Sequence, residues 1–255
     1  MTILLLGGTS EAGTIAAALE KAGIEVLVST ATGLASSVRE SRLVKVRTGM
    51  LNESGLSTLI RESGAVAVVD ATHPYAVEIS KNARAAAEGA GVPLFRYLRP
   101  PAVAGKGGDV AARDHEEAAR RAFGSGRPVL LTIGTRNLAP YVSEARKTGA
   151  RVIARVLPTP ESLEACRRAG LAPESVIPGQ GPFTVEENVE LIKRLGIGVL
   201  VTKDGGAAGG VPEKLEAARR EGCEVVVVER PEEQNAAGRT FSEIPALVKA
   251  CAAVE

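Results

Sequence analysis

A short apolar run, Ile3–Leu6, leads straight into Gly7-Gly8-Thr9-Ser10-Glu11-Ala12-Gly13 and then into an Ala-rich amphipathic stretch. A strand, a glycine turn and a helix start in that order make a phosphate cradle. Backbone N–H groups at a helix N-terminus face an anion, and the helix dipole adds a favourable field. Gly7 and Gly8 allow the tight turn and close approach, Thr9 and Ser10 offer hydroxyl donors, and Glu11 completes the set of candidate cofactor residues in the turn. Gly13 lets helix and strand pack closely. The motif departs from GxGxxG, because Thr9 holds its third position. A dinucleotide is the expected ligand of this turn. The second apolar run ends Val28-Ser29-Thr30-Ala31-Thr32. A carboxylate there would bind the ribose hydroxyls of NAD, whereas Ser29 and Thr30 leave room for a 2′-phosphate and favour NADP(H). Arg39 and Arg42 follow in sequence.

A second group sits at Asp70-Ala71-Thr72-His73-Pro74-Tyr75, directly after another apolar run. In open α/β sheets ligands bind beyond the carboxyl ends of strands, so this turn should face the cofactor. Asp70, Ala71 and Thr72 are candidate cofactor residues, and Asp70 and Thr72 also suit plain turn and cap roles. Pro74 suits the first helical position. A third group, Thr202-Lys203-Asp204-Gly205-Gly206, again ends a strand. Gly205 and Gly206 let backbone approach a large ligand, and Lys203 brings positive charge.

The elements that must position these groups follow from periodicity. Short β-branched runs alternate with Ala-rich stretches, as in βαβ units. The first part predicts strands at Ile3–Leu6, Glu25–Ser29, Leu43–Arg47, Val66–Asp70 and Leu94–Tyr97, with helices at Ala12–Ala22, Ser54–Glu62 and Ala76–Ala90. The second predicts strands at Val129–Ile133, Arg151–Val156, Val199–Thr202 and Glu224–Val228. Its helices fall at His115–Phe123, Leu138–Lys147, Ser162–Arg168, Val185–Leu195, Glu213–Arg220 and Ile244–Ala252. Asp114 with Glu117, and Thr184 with Glu187, have capping-box spacing. Arg99-Pro100-Pro101 and the glycines up to Gly108 punctuate the pattern. The expected fold class is α/β: two Rossmann-like lobes with mainly parallel sheets and a cleft between them. Residues 1–99 form an NADP(H)-binding domain and 100–255 a substrate domain.

Composition narrows the partners. The 255 residues carry a net charge of +1 and only 3% aromatics, with no Trp, which argues against nucleic acid and anionic membranes. No apolar stretch approaches membrane length, and MTILLLGG lacks a signal peptide's charged start. Cys166, Cys223 and Cys251 match no metal spacing, so no metal is expected, and a cytoplasmic location fits free thiols.

Taken together, GGTSEAG and DATHPYA resemble the precorrin-6A reductase family of cobalamin biosynthesis. Arg99-Pro100-Pro101, Ile133-Gly134, Gly181-Pro182-Phe183, the Thr202–Gly206 loop with Lys214, and Glu229-Arg230-Pro231 follow in the same order, covering essentially the whole chain. The resemblance implies hydride transfer from NADPH, or NADH in some members, to one double bond of a corrinoid macrocycle, giving the dihydro precorrin-6B form. It implies no flavin or metal. Because a precorrin is a polycarboxylate, Arg136, Arg155 and Lys203 become candidates for holding it, beside His73, Pro74, Tyr75, Gly205 and Gly206. His73 and Tyr75 are candidate proton donors, and Lys203 a charge stabiliser. Two departures stand out. Ala102 replaces a frequent Trp, and Thr32-Gly33-Leu34 replaces an Arg found in some members, which leaves the 2′-phosphate partner unassigned. The expected assembly is a monomer or small homo-oligomer. A non-catalytic NADP(H)-sensing protein and a two-lobed sugar-nucleotide transferase are the alternatives. A short-chain dehydrogenase is not, because Ile79, Pro101 and Ala145 stand four residues after the three tyrosines, where a YxxxK pair needs lysine.

Overall fold

The computed structural model describes residues 1–31, 38–100, 109–206, 209–230 and 239–254. The readings at Thr32–Leu34 and Ala102 lie outside the described residues. In chain order the first elements are β1 (Thr2–Leu6), α1 (Glu11–Lys21), β2 (Glu25–Thr30), β3 (Val44–Thr48), α2 (Glu53–Ser63), β4 (Ala65–Asp70), α3 (Val77–Ala90) and β5 (Leu94–Tyr97). There follow β6 (Val110–Ala112), α4 (His115–Phe123), β7 (Val129–Thr132), α5 (Ala139–Thr148), β8 (Val152–Val156), α6 (Pro160–Ala169) and β9 (Val176–Pro178). The chain continues through α7 (Val185–Leu195), β10 (Val199–Lys203), α8 (Val211–Arg220), β11 (Glu224–Val228), β12 (Arg239–Phe241) and α9 (Ile244–Ala252). Among the described residues no helix is long and apolar enough to cross a membrane.

These elements build two units, each around a parallel six-stranded sheet. The first runs β12-β5-β4-β1-β2-β3 and the second β6-β11-β10-β7-β8-β9. Burial on both faces explains the composition of the central strands. Ile3 and Leu5 of β1 pack with Ile15 and Leu19 of α1 and with Leu247 and Cys251 of α9. Leu4 and Leu6, on the opposite face, pack with Leu56 and Ile60 of α2 and with Ala83 and Ala87 of α3. Each such Leu or Ile gives about 1.5–3 kcal/mol on burial, so β1 is anchored from both sides.

The units comprise Met1–Pro100 with Glu232–Glu255, and Pro101–Pro231. This corrects the expected second domain of 100–255, because the C-terminal segment returns to the first sheet. There β12 pairs in parallel with β5, Phe241 meets Phe95 edge-on at 5.9 Å, and Leu247 is fully buried in the first core. The physical reason is the open edge of β5, which would otherwise expose an unpaired backbone. The second unit is one continuous run that opens with β6 and α4, whereas the first is completed by β12 and α9 from the end of the chain.

Local sequence sets the helix starts. Thr184 and Glu187 close a full capping box on α7. At α4, Asp114 accepts from the Glu117 amide, but the Glu117 carboxylate takes the Arg113 amide instead of its own cap. Strand order reverses between β1 and β4 in the first sheet and between β7 and β10 in the second. Loops leaving the carboxyl ends of those strands therefore flank a switch point, where α/β sheets bind ligands.

Candidate functional site

In the first unit the register brings the three predicted strand ends to one level, with Leu6 opposite Ser29 on one side and Asp70 on the other. The Gly7 amide donates to the Ser29 carbonyl at 2.9 Å. A Cβ on Gly7 would press Ala12 at 3.2 Å and Thr30 at 3.3 Å, so glycine lets α1 sit against β2. Gly8 has φ +140 and would meet nothing within 4 Å, which leaves the outer side of the turn open. Ser10 does not cap α1, and its hydroxyl donates instead to Glu11 Oε2 at 3.1 Å. The helix thus starts without a side-chain cap, unlike α2, α4, α6 and α7. Its amides and the open glycine fit a pyrophosphate. Glu11 would oppose that charge, but it pairs with Arg99 at 3.1 Å.

Asp70 turns inward. It is 1% exposed, and its Oδ1 accepts from the Thr72 amide at 3.0 Å, from Thr72 Oγ1 at 2.6 Å and from Arg96 Nη1 at 2.7 Å. Asp70 and Arg96 are register partners of β4 and β5, which places the two side chains on the same face. Asp70 therefore shapes the turn through Thr72 and Arg96. Thr9 Oγ1 donates to the Ala71 carbonyl at 3.0 Å and joins the two turns. One small pocket is lined by Thr9, Glu11, Ala71, Thr72 and Pro74 from the predicted set, with Tyr97 and Arg99 in addition. Burial, then Glu11 and Glu243, push the Tyr97 phenol up, so it keeps its proton. His73 and Tyr75 are half-buried with ring centroids 5.5 Å apart. The Tyr75 amide donates to His73 Nδ1 at 3.3 Å, which places the proton of the neutral imidazole on Nε2.

Ser29 and Thr30 are both buried at the end of β2. Arg39 and Arg42 are exposed, and the guanidinium that meets Ser29 is that of Arg47 on β3.

The second unit gathers cations at the ends of β7, β8 and β10. Arg155 is 8% exposed, donates from Nη2 to Asn188 Oδ1 at 2.8 Å and lies 4.1 Å from the Phe183 ring centroid. It forms no ion pair among the described residues. Burial, opposed by the Glu187 carboxylate, pulls its guanidinium down to about 10, so it stays charged at neutral pH. Burial and then Arg136 lower Lys203 to about 8. Lys214, whose Nζ donates to the Gly209 carbonyl at 3.1 Å, also falls to about 8, through burial, then Arg155 and Lys203. Burial and then Lys203 lower His115, which shares a 2.9 Å hydrogen bond with the buried Tyr141 hydroxyl. Arg136, though exposed, thus acts on the same cluster. Asp204 is drawn away, its Oδ1 accepting from the Gly206 amide at 3.2 Å and lying 3.6 Å from Arg230 Nη2. Gly206, at φ +75, makes this turn, and the Gly205 amide returns to the Lys203 carbonyl at 2.8 Å.

The structure thus assembles the predicted residues in two sets, one in each unit. Sequence reasoning passed over Arg47, Tyr97, Arg99, His115 and, as a site residue, Lys214. A lysine in the first turn of a helix after a glycine loop was a readable signal for Lys214. Arg99 stood in the Arg99-Pro100-Pro101 motif with no site role assigned to it, while Arg47, Tyr97 and His115 lie within strands or at element ends and carry no local signature.

Comparison with known proteins covers the whole chain. A sequence model of the family described as precorrin-6x reductase CbiJ/CobK matches residues 2–252. A cobalt-precorrin-6A reductase of Priestia megaterium is 36% identical over 244 residues, covering 95% of this chain and 96% of that protein. A precorrin-6A reductase of Rhodococcus erythropolis is 35% identical over 236 residues, 90% of this chain and 89% of the other. The solved structure of CobK precorrin-6A reductase matches with a TM-score of 0.79 at 30% identity, covering 99% of this chain and 97% of that one.

Proposed function

Because this chain belongs to the precorrin-6x reductase family, we propose that it reduces one double bond of precorrin-6A, or of its cobalt form, with NADPH. The product is the dihydro precorrin-6B form, made in cobalamin biosynthesis. The observation that carries the cofactor assignment is the Gly7–Gly8 turn, open on its outer side and followed by an α1 start without a side-chain cap. NADPH, when bound, supplies a hydride to the acceptor carbon of the macrocycle, and the atom at the other end of the reduced bond takes a proton.

The residues divide the remaining work. Gly7, Gly8, Thr9 and Ser10 hold the pyrophosphate, with Glu11 neutralised by Arg99. Ser29 and Thr30 receive the adenosine ribose. Asp70 and Arg96 fix Ala71 and Thr72, which form one wall of the pocket shared with Thr9. The Tyr75 hydroxyl, or His73 once it is an imidazolium with Nδ1 protonated and released from the Tyr75 amide, gives the proton that completes the reduction. In the second unit Lys203, Lys214, Arg155 and Arg136 hold substrate carboxylates, while Gly205 and Gly206 admit backbone contact. What supports that role is the buried Arg155 guanidinium, which has no carboxylate within ion-pair distance among the described residues and only the field of Glu187 to offset its burial.

The first test is spectroscopic. Anaerobic mixing of protein, NADPH and precorrin-6A or its cobalt form should remove absorbance at about 340 nm, the nicotinamide band. Tight NADPH binding without oxidation in either mixture would instead favour a sensing protein.

The lysines give a pH signature. Lys203 and Lys214 titrate near 8, while substrate carboxylates are ionised throughout the neutral range. Both ammonium groups are charged below that value and lose charge above it, so attraction for the polyanion falls as pH rises through about 8. The expected profile of kcat/KM for the macrocycle is flat below neutrality and falls above about pH 8 with a slope steeper than one proton, because free-enzyme groups govern this ratio. A profile flat to about pH 10, near the ordinary lysine value, would contradict the cluster's role.

A further inference from the structure

Arg47 is a built feature that the family motifs do not include. It is the register partner of Ser29 across β2 and β3, which sets its side chain beside the uncharged end of β2. Its Nη1 donates to Ser29 Oγ at 2.8 Å and to the Gly49 carbonyl at 3.0 Å, and its Nη2 donates to the Thr48 carbonyl at 3.2 Å. All three acceptors are neutral. They fix the guanidinium without cancelling its charge, and among the described residues it has no ion-pair partner. Gly49, at φ +129, adopts a backbone conformation that favours glycine, and a Cβ there would sit 3.0 Å from Arg47 Nη2. The Gly49 amide donates to the Thr30 carbonyl at 2.9 Å, which ties this turn to the end of β2.

An adenosine ribose would sit at that end, given the reading of the first unit as a dinucleotide site, on which this inference rests. A ribose without a phosphate has no use for a fixed, uncompensated guanidinium, whereas a 2′-phosphate dianion matches its planar fork. We propose that Arg47 binds the 2′-phosphate of the cofactor and makes the site selective for NADPH over NADH.

The test is calorimetric titration of NADPH and NADH into the full-length protein and its Arg47→Met variant, with melting temperatures recorded for both. Wild type should favour NADPH. The variant should lose about 10- to 100-fold in NADPH affinity, the range of one charge-assisted contact, while NADH affinity stays within about threefold. Arg47→Lys, which keeps the charge and loses the fork, should recover part of the loss. If wild type binds both cofactors equally, or the variant loses both equally with its melting temperature intact, the assignment of Arg47 is overturned and the dinucleotide site stands. Binding of neither cofactor by wild type would overturn the site itself and Arg47 with it.

Discussion

Arg96→Met is expected to lower the unfolding free energy by about 3–5 kcal/mol, the cost of leaving one member of a buried ion pair alone. Asp70 and Arg96 are 1% and 4% exposed and lie 2.7 Å apart. Arg96 Nη1 also donates to the Asp70 carbonyl at 3.2 Å, the Thr72 carbonyl at 3.3 Å and Thr72 Oγ1 at 3.2 Å. The Oδ2 of Asp70 is buried and has no hydrogen-bond partner among the described residues. Without Arg96 the carboxylate keeps only the two contacts from Thr72, in surroundings that solvate charge poorly. Urea unfolding near neutral pH reads the effect. The double variant Arg96→Met/Asp70→Asn should recover part of the loss, because it removes the orphaned charge. A loss under about 1 kcal/mol for the single variant would mean that the pair is not an anchor of the turn.

Arg155→Met is expected to behave in the opposite way. The KM for the macrocycle should rise about 10- to 100-fold, the value of one charge-assisted contact, while stability changes by no more than about 1 kcal/mol. Losing the guanidinium leaves Asn188 Oδ1 without its donor, at a cost of about 1–3 kcal/mol. Relief of a buried, unpaired cation offsets that cost, and a thioether over Phe183 adds about 0.3–1.5 kcal/mol. A merely structural arginine would lower the melting temperature and leave KM alone. The different outcomes expected for the two buried arginines come from one feature: Arg96 has the Asp70 carboxylate at 2.7 Å, whereas Arg155 has no carboxylate within ion-pair distance among the described residues and feels Glu187 only through its field.

That feature is also the limit of what the sequence can express. The glycine turn and the Asp70–Tyr75 turn were legible because each is contiguous and follows a strand long enough to show its pattern. The residues that support them come from neighbouring strands. Arg96 is one apolar-run residue among four in β5, and only its register with Asp70 marks it out. Arg47 is equally unmarked until β3 lies against β2. Three strands escaped notice, β6, β9 and β12, all of three residues and all at sheet edges. So short a segment shows no period of two, and β9 ends in Pro178. The return of β12 to the first sheet is a further step away, because no local signal in Arg239–Phe241 names β5 as its partner. The second unit's cations were readable as residues. Their significance depends on their burial and on their closeness to one another, which emerge only from packing.

The central claim is that a hydride passes from the nicotinamide to the macrocycle, and isotope transfer tests it most directly. Single-turnover reaction with NADPH dideuterated at C4, followed by mass spectrometry of the product, should show one deuterium bound to macrocycle carbon. The proton at the other end of the reduced bond should come from solvent-exchangeable groups. A reduced product with no deuterium, or a macrocycle left unreduced by protein that holds NADPH tightly, would contradict the account.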